Sequence, residues 1–347
     1  MSFEFIKANI NLDFVGKRKL AYTFSGILLL LSILSLIIRG PNYGVDFAGG
    51  SIIQIRFSGA APIEKIKDGL RTINIENVSV QSIGDAKDNE YLIRTDANIS
   101  GQELNRELKK VLETSVGASA DIRRVEMVGP QVGNDLKEKA LLAILFSLLL
   151  TAVYISGRFE FKWHQSAIIA VVLGGAVYFL YTSGVPMPYI IPAALAVTLV
   201  TFWVFGLKYA LGAIVALIHD VTISAGVLSF LGKEFTITVI AALLTIIGYS
   251  LNDTIIVYDR IRENVKKLPK TYLGIIINRS VNETLSRTIM TQGLTLVMVV
   301  SLYFLGGDII HDFALALLVG FMVGTYSSIY VASPIVLTWE ERSKMKK

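Results

Sequence analysis

The sequence predicts a polytopic α-helical membrane protein with one α+β domain outside the membrane. Two observations lead to this fold class: an apolar composition, and a series of long apolar runs interrupted once by a stretch of ordinary soluble composition. Of the 347 residues, 53% are hydrophobic and 18% are charged, and the mean hydropathy is +0.57. Soluble globular proteins carry about 25% charged residues. The lipid bilayer is therefore expected to be the main solvent of this chain.

Eight apolar runs have the length of a membrane span. A helix of about 20 residues crosses the hydrocarbon core, because each residue adds about 1.5 Å and the core is about 30 Å thick. The first run is expected to persist as an anchor, since no small-residue cleavage pattern follows it. The predicted spans are 20–38, 140–157, 166–183, 189–207, 209–231, 235–258, 288–306 and 313–338.

Basic residues set the expected orientation, because lysine and arginine collect in the cytoplasmic loops of membrane proteins. With residues 1–19 inside, eight spans also place the basic loop before residue 288 and the basic tail 339–347 inside. Lys233 is then the only lysine or arginine in the short outer loops. A single span over 166–207 would put the richest basic loop outside. Two spans are therefore predicted there, with both termini in the cytoplasm.

Residues 39–135 form the predicted extracytoplasmic domain, and residues 136–338 form a membrane domain of seven further helices. Alternating apolar residues and turn signals define the elements of the outer domain. They are a strand at 44–57, a helix at 63–73, strands at 78–83 and 91–95 joined around Gly84 and Asp85, a helix at 101–114 and a strand at 120–128. This βαββαβ order is that of a split βαβ, ferredoxin-like module.

Two ionisable residues stand out in the later spans, where charged groups are costly and mark candidate functional sites. Asp253 lies toward the cytoplasmic end of its span, and Arg287 stands at the start of the next one. A hairpin between these spans would bring both side chains to comparable depth. They could form a structural ion pair, or a proton-loading site controlled by burial and by the neighbouring charge. The spacing favours neither alternative.

Asp220, in the fifth span, is a further candidate. Small residues recur every four positions on its face, so the aspartate is expected to face the interior of the bundle. A helix-packing hydrogen bond, a position near the membrane surface and proton transfer all remain open for it. The two His-Asp pairs, at His219 and His311, lack companion ligands at metal spacing, and no metal site is predicted.

The last predicted span carries a stripe of small residues at intervals of four. Such a stripe lets helices approach closely, and it includes a Gly-x-x-x-Gly pair. It could pack against another helix of this chain or against a partner protein. Its members are Ala316, Gly320, Gly324, Ser328 and Ala332.

Several function classes are excluded. No phosphate-binding Gly-x-x-x-x-Gly-Lys-Ser/Thr loop and no Gly-x-Ser-x-Gly elbow occurs, which removes ATP as a fuel and a nucleophilic triad. The chain contains no cysteine, and therefore no disulfides or thiol chemistry. Its net charge of +5 comes from basic residues at chain ends and in loops, without the stacking aromatics of nucleic-acid sites. We expect no enzyme, no cofactor and no nucleic-acid partner.

Six motifs resemble the SecF family, in family order and over nearly the whole chain. The string at 248–264 is the most specific of them. Gly44, Asp46, Gly49 and Gly50 belong to the first motif. The motifs are 44–51 (GVDFAGGS), 128–133 (VGPQVG), 213–221 (AIVALIHDV), 248–264 (GYSLNDTIIVYDRIREN), 283–288 (ETLSRT) and 324–332 (GTYSSIYVA).

The resemblance implies a fold of the resistance-nodulation-division type in the bacterial cytoplasmic membrane. It implies a SecD-like partner, the SecY, SecE and SecG channel, and proton-driven assistance to the export of unfolded polypeptides, with membrane lipids around the complex. It also makes Asp253 and Arg287 proton-pathway residues, acting with an aspartate of SecD, and Asn252 and Asp220 weaker candidates. Two alternatives stay open: an exporter of small molecules or lipids on the same fold, and a scaffold that only stabilises the translocon.

Two features depart from the family pattern. Residues 165–207 lie between motifs that are almost adjacent in relatives, and they predict an extra helical hairpin, with re-entrant helices as the alternative. Gln292 stands where relatives tend toward small hydroxyl residues. The local proton path is therefore expected to differ from that of the family.

Overall fold

The computed structural model describes residues 11–75, 77–83, 88–97, 99, 102–160 and 163–345. The helices are α1 (Arg18–Ile38), α2 (Val45–Ala48), α3 (Ile63–Thr72), α4 (Gln102–Val116), α5 (Pro130–Glu160), α6 (Trp163–Thr182), α7 (Met187–Val204), α8 (Lys208–Phe230), α9 (Ile237–Lys267), α10 (Leu273–Leu305), α11 (Asp308–Ser327) and α12 (Ser333–Met345). The strands are β1 (Asn42–Tyr43), β2 (Gly50–Phe57), β3 (Val78–Ile83), β4 (Glu90–Thr95), β5 (Ala120–Val128) and β6 (Glu234–Phe235).

Long apolar helices form the bulk of the molecule. Within the described residues, seven helical stretches are long and apolar enough to cross a membrane, and Tyr189–Val204 is a shorter apolar helix. That shorter helix lies in the fourth predicted span, so the count of eight spans stays a prediction. Helices α5 and α9 each contain 31 residues, or about 46 Å at 1.5 Å per residue. They are longer than the apolar runs because the charged segments at the start of α5 and at the end of α9 are helical as well.

Ion pairs join neighbouring chain segments at the two ends of the bundle. At one end, Arg18 at the start of α1 pairs with Glu341 in α12, with 3.1 Å between the nitrogen and the oxygen. At the other end, Lys233 after α8 pairs with Asp312 at the start of α11 at 2.9 Å. The start of α1 and the end of α12 therefore lie on the same side of the bundle.

Helices α6 and α7 form a hairpin whose turn lies at 183–186. The Tyr181 hydroxyl near the end of α6 donates to Glu138 in the first part of α5, at 3.0 Å. Helix α6 therefore runs antiparallel to α5. Ile190 and Phe202 of α7 are buried in the same apolar cluster as residues of α5 and α8, so the hairpin packs on the side of the bundle.

Helix α1 packs with its small residues and exposes its large ones. Its buried positions are Ala21, Ser25, Ser32 and Ser35, whereas large residues such as Ile37 are exposed. A side chain on Gly226 of α8 would come within 2.3 Å of Ser32. Small residues thus allow α1 and α8 to approach closely, and the leucines and isoleucines remain available to lipid.

A four-stranded antiparallel sheet lies outside the bundle, in the order β3-β4-β2-β5. Helices α3 and α4 supply buried residues to its core, including Ile66 and Leu108, which meet Ile53 and Ile55 of β2. The elements follow the βαββαβ order of the sequence analysis. The predicted turn at Gly84 and Asp85 lies outside the described residues.

The prediction of a single strand over 44–57 is wrong in its first half. Strand β1 ends at Tyr43 and pairs in parallel with β6, which lies between α8 and α9 in the chain. The helical turn α2 follows, and β2 begins only at Gly50. Gly49 and Gly50 have φ angles of +81° and +124°, a backbone conformation that side chains disfavour. These two residues redirect the chain from the bundle into the sheet.

The small-residue stripe of α11 packs inside this chain. A Cβ atom on Gly320 would lie 2.2 Å from Ile246, and one on Gly324 would lie 3.0 Å from Ser250, both on α9. The predicted span 313–338 falls within the helical stretch Ile309–Ser343, in which Ser328–Ala332 form a π-helical turn. An extra residue in a turn rotates the following face. Tyr258 of α9 donates its hydroxyl to the Ala332 carbonyl at 3.2 Å.

Gly320→Leu is expected to lower the free energy of unfolding by about 3 kcal/mol, because overfilling a packed interface costs about 1–3 kcal/mol and the fully buried Ile246 has no room to withdraw. The matched control is Gly248→Leu on α9, since no atom lies within 4 Å of the Gly248 position. Thermal unfolding of the purified protein in detergent measures both. Equal midpoints for the two variants would contradict the packing assigned to α11.

Candidate functional site

Asp253 lies inside the bundle, on α9, with a relative exposure of 1%. Its carboxylate accepts a hydrogen bond from the side-chain amide of Gln292 on α10. The other amide atom, Gln292 Oε1, is buried and has no hydrogen-bond partner among the described residues. The Asp253 carboxylate of α9 thus contacts the Gln292 amide of α10, and Gln292 Oε1 can accept a hydrogen bond from a further donor.

Arg287 does not form the ion pair that was one of the two alternatives. Its side chain is exposed, and in the described part of the chain no nitrogen of Arg287 lies within 4.0 Å of a carboxylate oxygen. The register of α10 explains the difference: Gln292, five residues later and about 7.5 Å further along the axis, is the residue opposite Asp253.

Asn252 points the other way. Its side chain is exposed, whereas Asp253 is buried. Adjacent helical residues differ by about 100° in direction, so the two side chains occupy different faces of α9. The structure therefore brings Asp253 together with Gln292 and leaves Asn252 and Arg287 on the surface of the chain.

Asp220 on α8 is fully buried, with 0% exposure. It lies about 18 Å from the start of α8, near the middle of that helix. Its Oδ2 accepts from the hydroxyl of Ser250 at 2.6 Å and from that of Ser327 at 2.7 Å. Its Oδ1 lies 2.9 Å from His219 Nδ1. The carboxylate therefore joins α8, α9 and α11.

The glycine motif, residues 44–51, leads into the four-stranded sheet and contacts α9, the helix that carries Asp253. Asp46 Oδ2 accepts from the backbone amide of Ile237 at 3.0 Å, which satisfies a free amide at the start of α9. The Gly44 amide donates to the Phe235 carbonyl at 2.9 Å. A Cβ on Gly49 would lie 3.0 Å from Pro130 at the start of α5. Gly44, Asp46 and Gly49 thus fix the start of the sheet to the first residues of α9 and α5.

Sequence reasoning noticed Gln292 only as a departure from the family, and it missed Ser250 and Ser327 as partners of Asp220. Hydroxyl residues within apolar spans were the available signal, but they do not indicate which helices meet. Among the described residues, no group of three or more His, Cys, Asp or Glu side chains could hold a metal ion.

The long apolar helices and the carboxylates buried between them define a multi-pass membrane protein with ionisable groups in its interior. The chain belongs to the SecD/SecF family of protein-export membrane proteins. The family described as "Protein export membrane protein SecD/SecF, C-terminal" matches residues 107–178 and 187–342. The SecD/SecF GG motif matches residues 34–61, which include the glycines that redirect the chain.

Relatives of nearly the same length bear the name protein translocase subunit SecF. That of Calditerrivibrio nitroreducens is 39% identical over 338 residues, which cover 96% of this chain and 95% of the relative. That of Magnetococcus marinus is 40% identical over 347 residues, covering 99% and 96%. Both names describe subunits of a protein translocase.

Solved structures of SecDF share the fold. The crystal structure of SecDF, a translocon-associated membrane protein from Thermus thermophilus, has a TM-score of 0.68 and 31% sequence identity, covering 97% of this chain. SecDF in its super-membrane-facing form has a TM-score of 0.60 at the same identity. This chain spans 40% of each of those longer chains.

Proposed function

We propose that this chain is the SecF half of a proton-driven unit that works with a SecD-like chain to assist the movement of unfolded polypeptides through the SecY, SecE and SecG channel. The observation that carries the proposal is Asp253, buried beside Gln292 within the helix bundle. A proton that crosses the membrane releases about 2.3 kcal/mol per 100 mV. Its binding to a buried carboxylate would change how α9 packs on its neighbours.

A polar and small-residue face of α9 supports a partner at this site. Ala241, Thr245, Gly248 and Asn252 are exposed and follow one another at helical spacing. Polar groups that face lipid are costly, and small residues allow a second helix to approach closely. We expect a SecD-like helix to cover this face and to contribute an aspartate beside Asp253, with Arg287 and Asn252 lining the proton pathway.

The proposal extends to topology. Eight spans, with α7 as the shortest, would place both termini in the cytoplasm and the sheet outside the bacterial inner membrane. Residues 165–207 would then be a peripheral hairpin beyond the family pattern. The strand order of the sheet supports a ferredoxin-like module, which would contact the emerging polypeptide.

A cysteine cross-link tests the partner. The chain contains no cysteine, so Thr245→Cys introduces a single thiol on the exposed face of α9. With a photoactivatable maleimide in native membranes, we expect an adduct that contains a SecD-like chain. Val172→Cys on α6, which is also exposed, is the control and should give no such adduct. A SecD-like adduct from both positions, or from neither, would contradict the proposed interface.

The alternative of a self-contained exporter of small molecules or lipids is not favoured, because the relatives are translocase subunits. A scaffold that only stabilises the translocon predicts instead that changes at Asp253 have no effect on export.

A further inference from the structure

A second buried ionisable pair lies in α8, apart from Asp253. His219 and Asp220 are 2% and 0% exposed. The Asp220 carboxylate is surrounded by donors: two serine hydroxyls reach one oxygen, and His219 Nδ1 lies 2.9 Å from the other. An ionised carboxylate can accept from all three of these neighbours, because it has no hydrogen of its own to donate. His219 Nδ1 then carries a hydrogen and donates it to Asp220.

The second ring nitrogen of His219 has no partner. Nε2 is buried and makes no hydrogen bond within the described structure. With the hydrogen on Nδ1, a neutral imidazole carries a free lone pair on Nε2. A buried polar atom without a partner is costly, and a ring nitrogen in this state is a base.

The charge of the cluster favours a proton at this atom. With a neutral imidazole, the cluster carries one negative charge inside an apolar bundle, which is costly. A proton on Nε2 creates an imidazolium beside the carboxylate and a net charge of zero, while the Nδ1–H bond to Asp220 and the serine bonds are kept. One proton leaves water and one N–H bond forms, and no other group has to change.

No other charge compensates Asp220 in the described contacts of the cluster. From α11, the Tyr326 ring stacks on His219 with 6.2 Å between ring centroids, and its hydroxyl donates to the Ala21 carbonyl of α1. From α9, Ser250 is uncharged, and Asp253, three residues later, is engaged with Gln292. The described charged residues of α1, α5 and α12 lie toward the helix ends, and several of them are paired there, as in Arg18–Glu341, Arg158–Asp259 and Lys208–Glu340.

We propose that His219 Nε2 is the proton-accepting atom of a second buried proton-binding site, held in position by Asp220, Ser250 and Ser327. The site joins α8, α9 and α11, so its charge acts on the packing of these three helices. Any use of this proton in export rests on the proposed function. Proton binding itself depends only on the cluster.

The three histidines of the chain make the site directly observable. Solid-state nitrogen NMR of the full chain in liposomes, with nitrogen-15 histidine, reports the protonation of each ring nitrogen. His164→Gln and His311→Gln assign the signals. Between about pH 8 and pH 5, the range in which histidine changes charge, we expect His219 to keep its Nδ1 hydrogen and to gain one on Nε2.

Two variants separate this site from a packing contact. Asp220→Asn removes the negative charge, and an unpaired buried imidazolium is costly, so proton uptake at Nε2 should be lost over this range. Ser328→Ala removes a neighbouring hydroxyl that donates to the Thr325 carbonyl and not to the cluster, and uptake should persist. The proposal is overturned if Nε2 of the unaltered protein stays bare throughout, or if Asp220→Asn leaves its uptake unchanged.

The same spectra distinguish this proposal from the proposed function. In Asp253→Asn, the His219 signal should respond to pH as in the unaltered protein, because Asp253 is bonded to a different helix. A failure of the export prediction would leave this measurement unaffected. A His219 that binds no proton would leave the role of Asp253 intact.

Discussion

Asp253→Asn is expected to reduce export in a proton gradient to the level measured without one. Asparagine has nearly the shape of aspartate and can still accept the hydrogen bond from Gln292, so α9 and α10 should keep their packing. It cannot take up and release a proton, which removes the coupling to the gradient. The measurement is translocation of an unfolded precursor protein into inverted membrane vesicles, with the gradient present and with it collapsed.

The control is the same substitution on the same helix. Asp259 lies six residues later on α9 and pairs with Arg158 at 2.7 Å, where both side chains are about 40% exposed. Such exposed pairs contribute about 0–1 kcal/mol, so Asp259→Asn should leave the response to the gradient unchanged. Equal export by Asp253→Asn and the unaltered protein would remove Asp253 from the proton pathway and would favour the scaffold alternative.

Gly50→Ala should destabilise the four-stranded sheet, in which Gly50 is the first residue of β2, by about 3 kcal/mol or more. A Cβ at this position would lie 2.1 Å from the Thr95 carbonyl oxygen of β4. That oxygen belongs to the backbone of a paired strand, so it cannot move aside as a flexible side chain could. The φ angle of +124° adds backbone strain. We expect faster proteolysis of the sheet in the full chain and a lower midpoint of thermal unfolding.

Gly40→Ala separates the clash from the strain. Gly40 also has a positive φ, +70°, but no atom lies within 4 Å of its Cβ position. Its substitution should therefore cost only about 1–2 kcal/mol, the penalty of a left-handed backbone. If both variants lose the same stability, the close approach of β2 and β4 at Gly50 is not what requires glycine.

The positions of the long helices were predictable because a bilayer demands about 20 apolar residues in a row. The helices and later strands of the four-stranded sheet could be predicted from the periodicity of their apolar residues. Helix α3, for example, was predicted at 63–73 and is observed at Ile63–Thr72. The first strand could not be predicted correctly. Its alternation continues through Gly49 and Gly50, and only their φ angles reveal the break.

The partners of the buried aspartates depend on tertiary contacts that hydropathy does not contain. Spacing suggested Arg287 for Asp253, but the register between α9 and α10 selects Gln292. Asp220 was predicted to face the interior, yet its serines come from α9 and α11, at positions 30 and 107 residues away in sequence. The π-helical turn at Ser328–Ala332 was also unpredictable, because every residue in it is compatible with an α-helix.

The hydrogen bond from Ile237 to Asp46 limits how far α9 can slide. Helix α9 is continuous from Ile237 to Asp253, a distance of about 24 Å along its axis. A helix is stiff in this direction, so an axial displacement at Asp253 arrives at Ile237 almost undiminished. A shift of one residue, about 1.5 Å, would stretch the 3.0 Å bond beyond hydrogen-bonding range. Either the segment from Asp46 to Gly50 moves together with α9, or the hydrogen bond breaks and the sheet is released from the bundle.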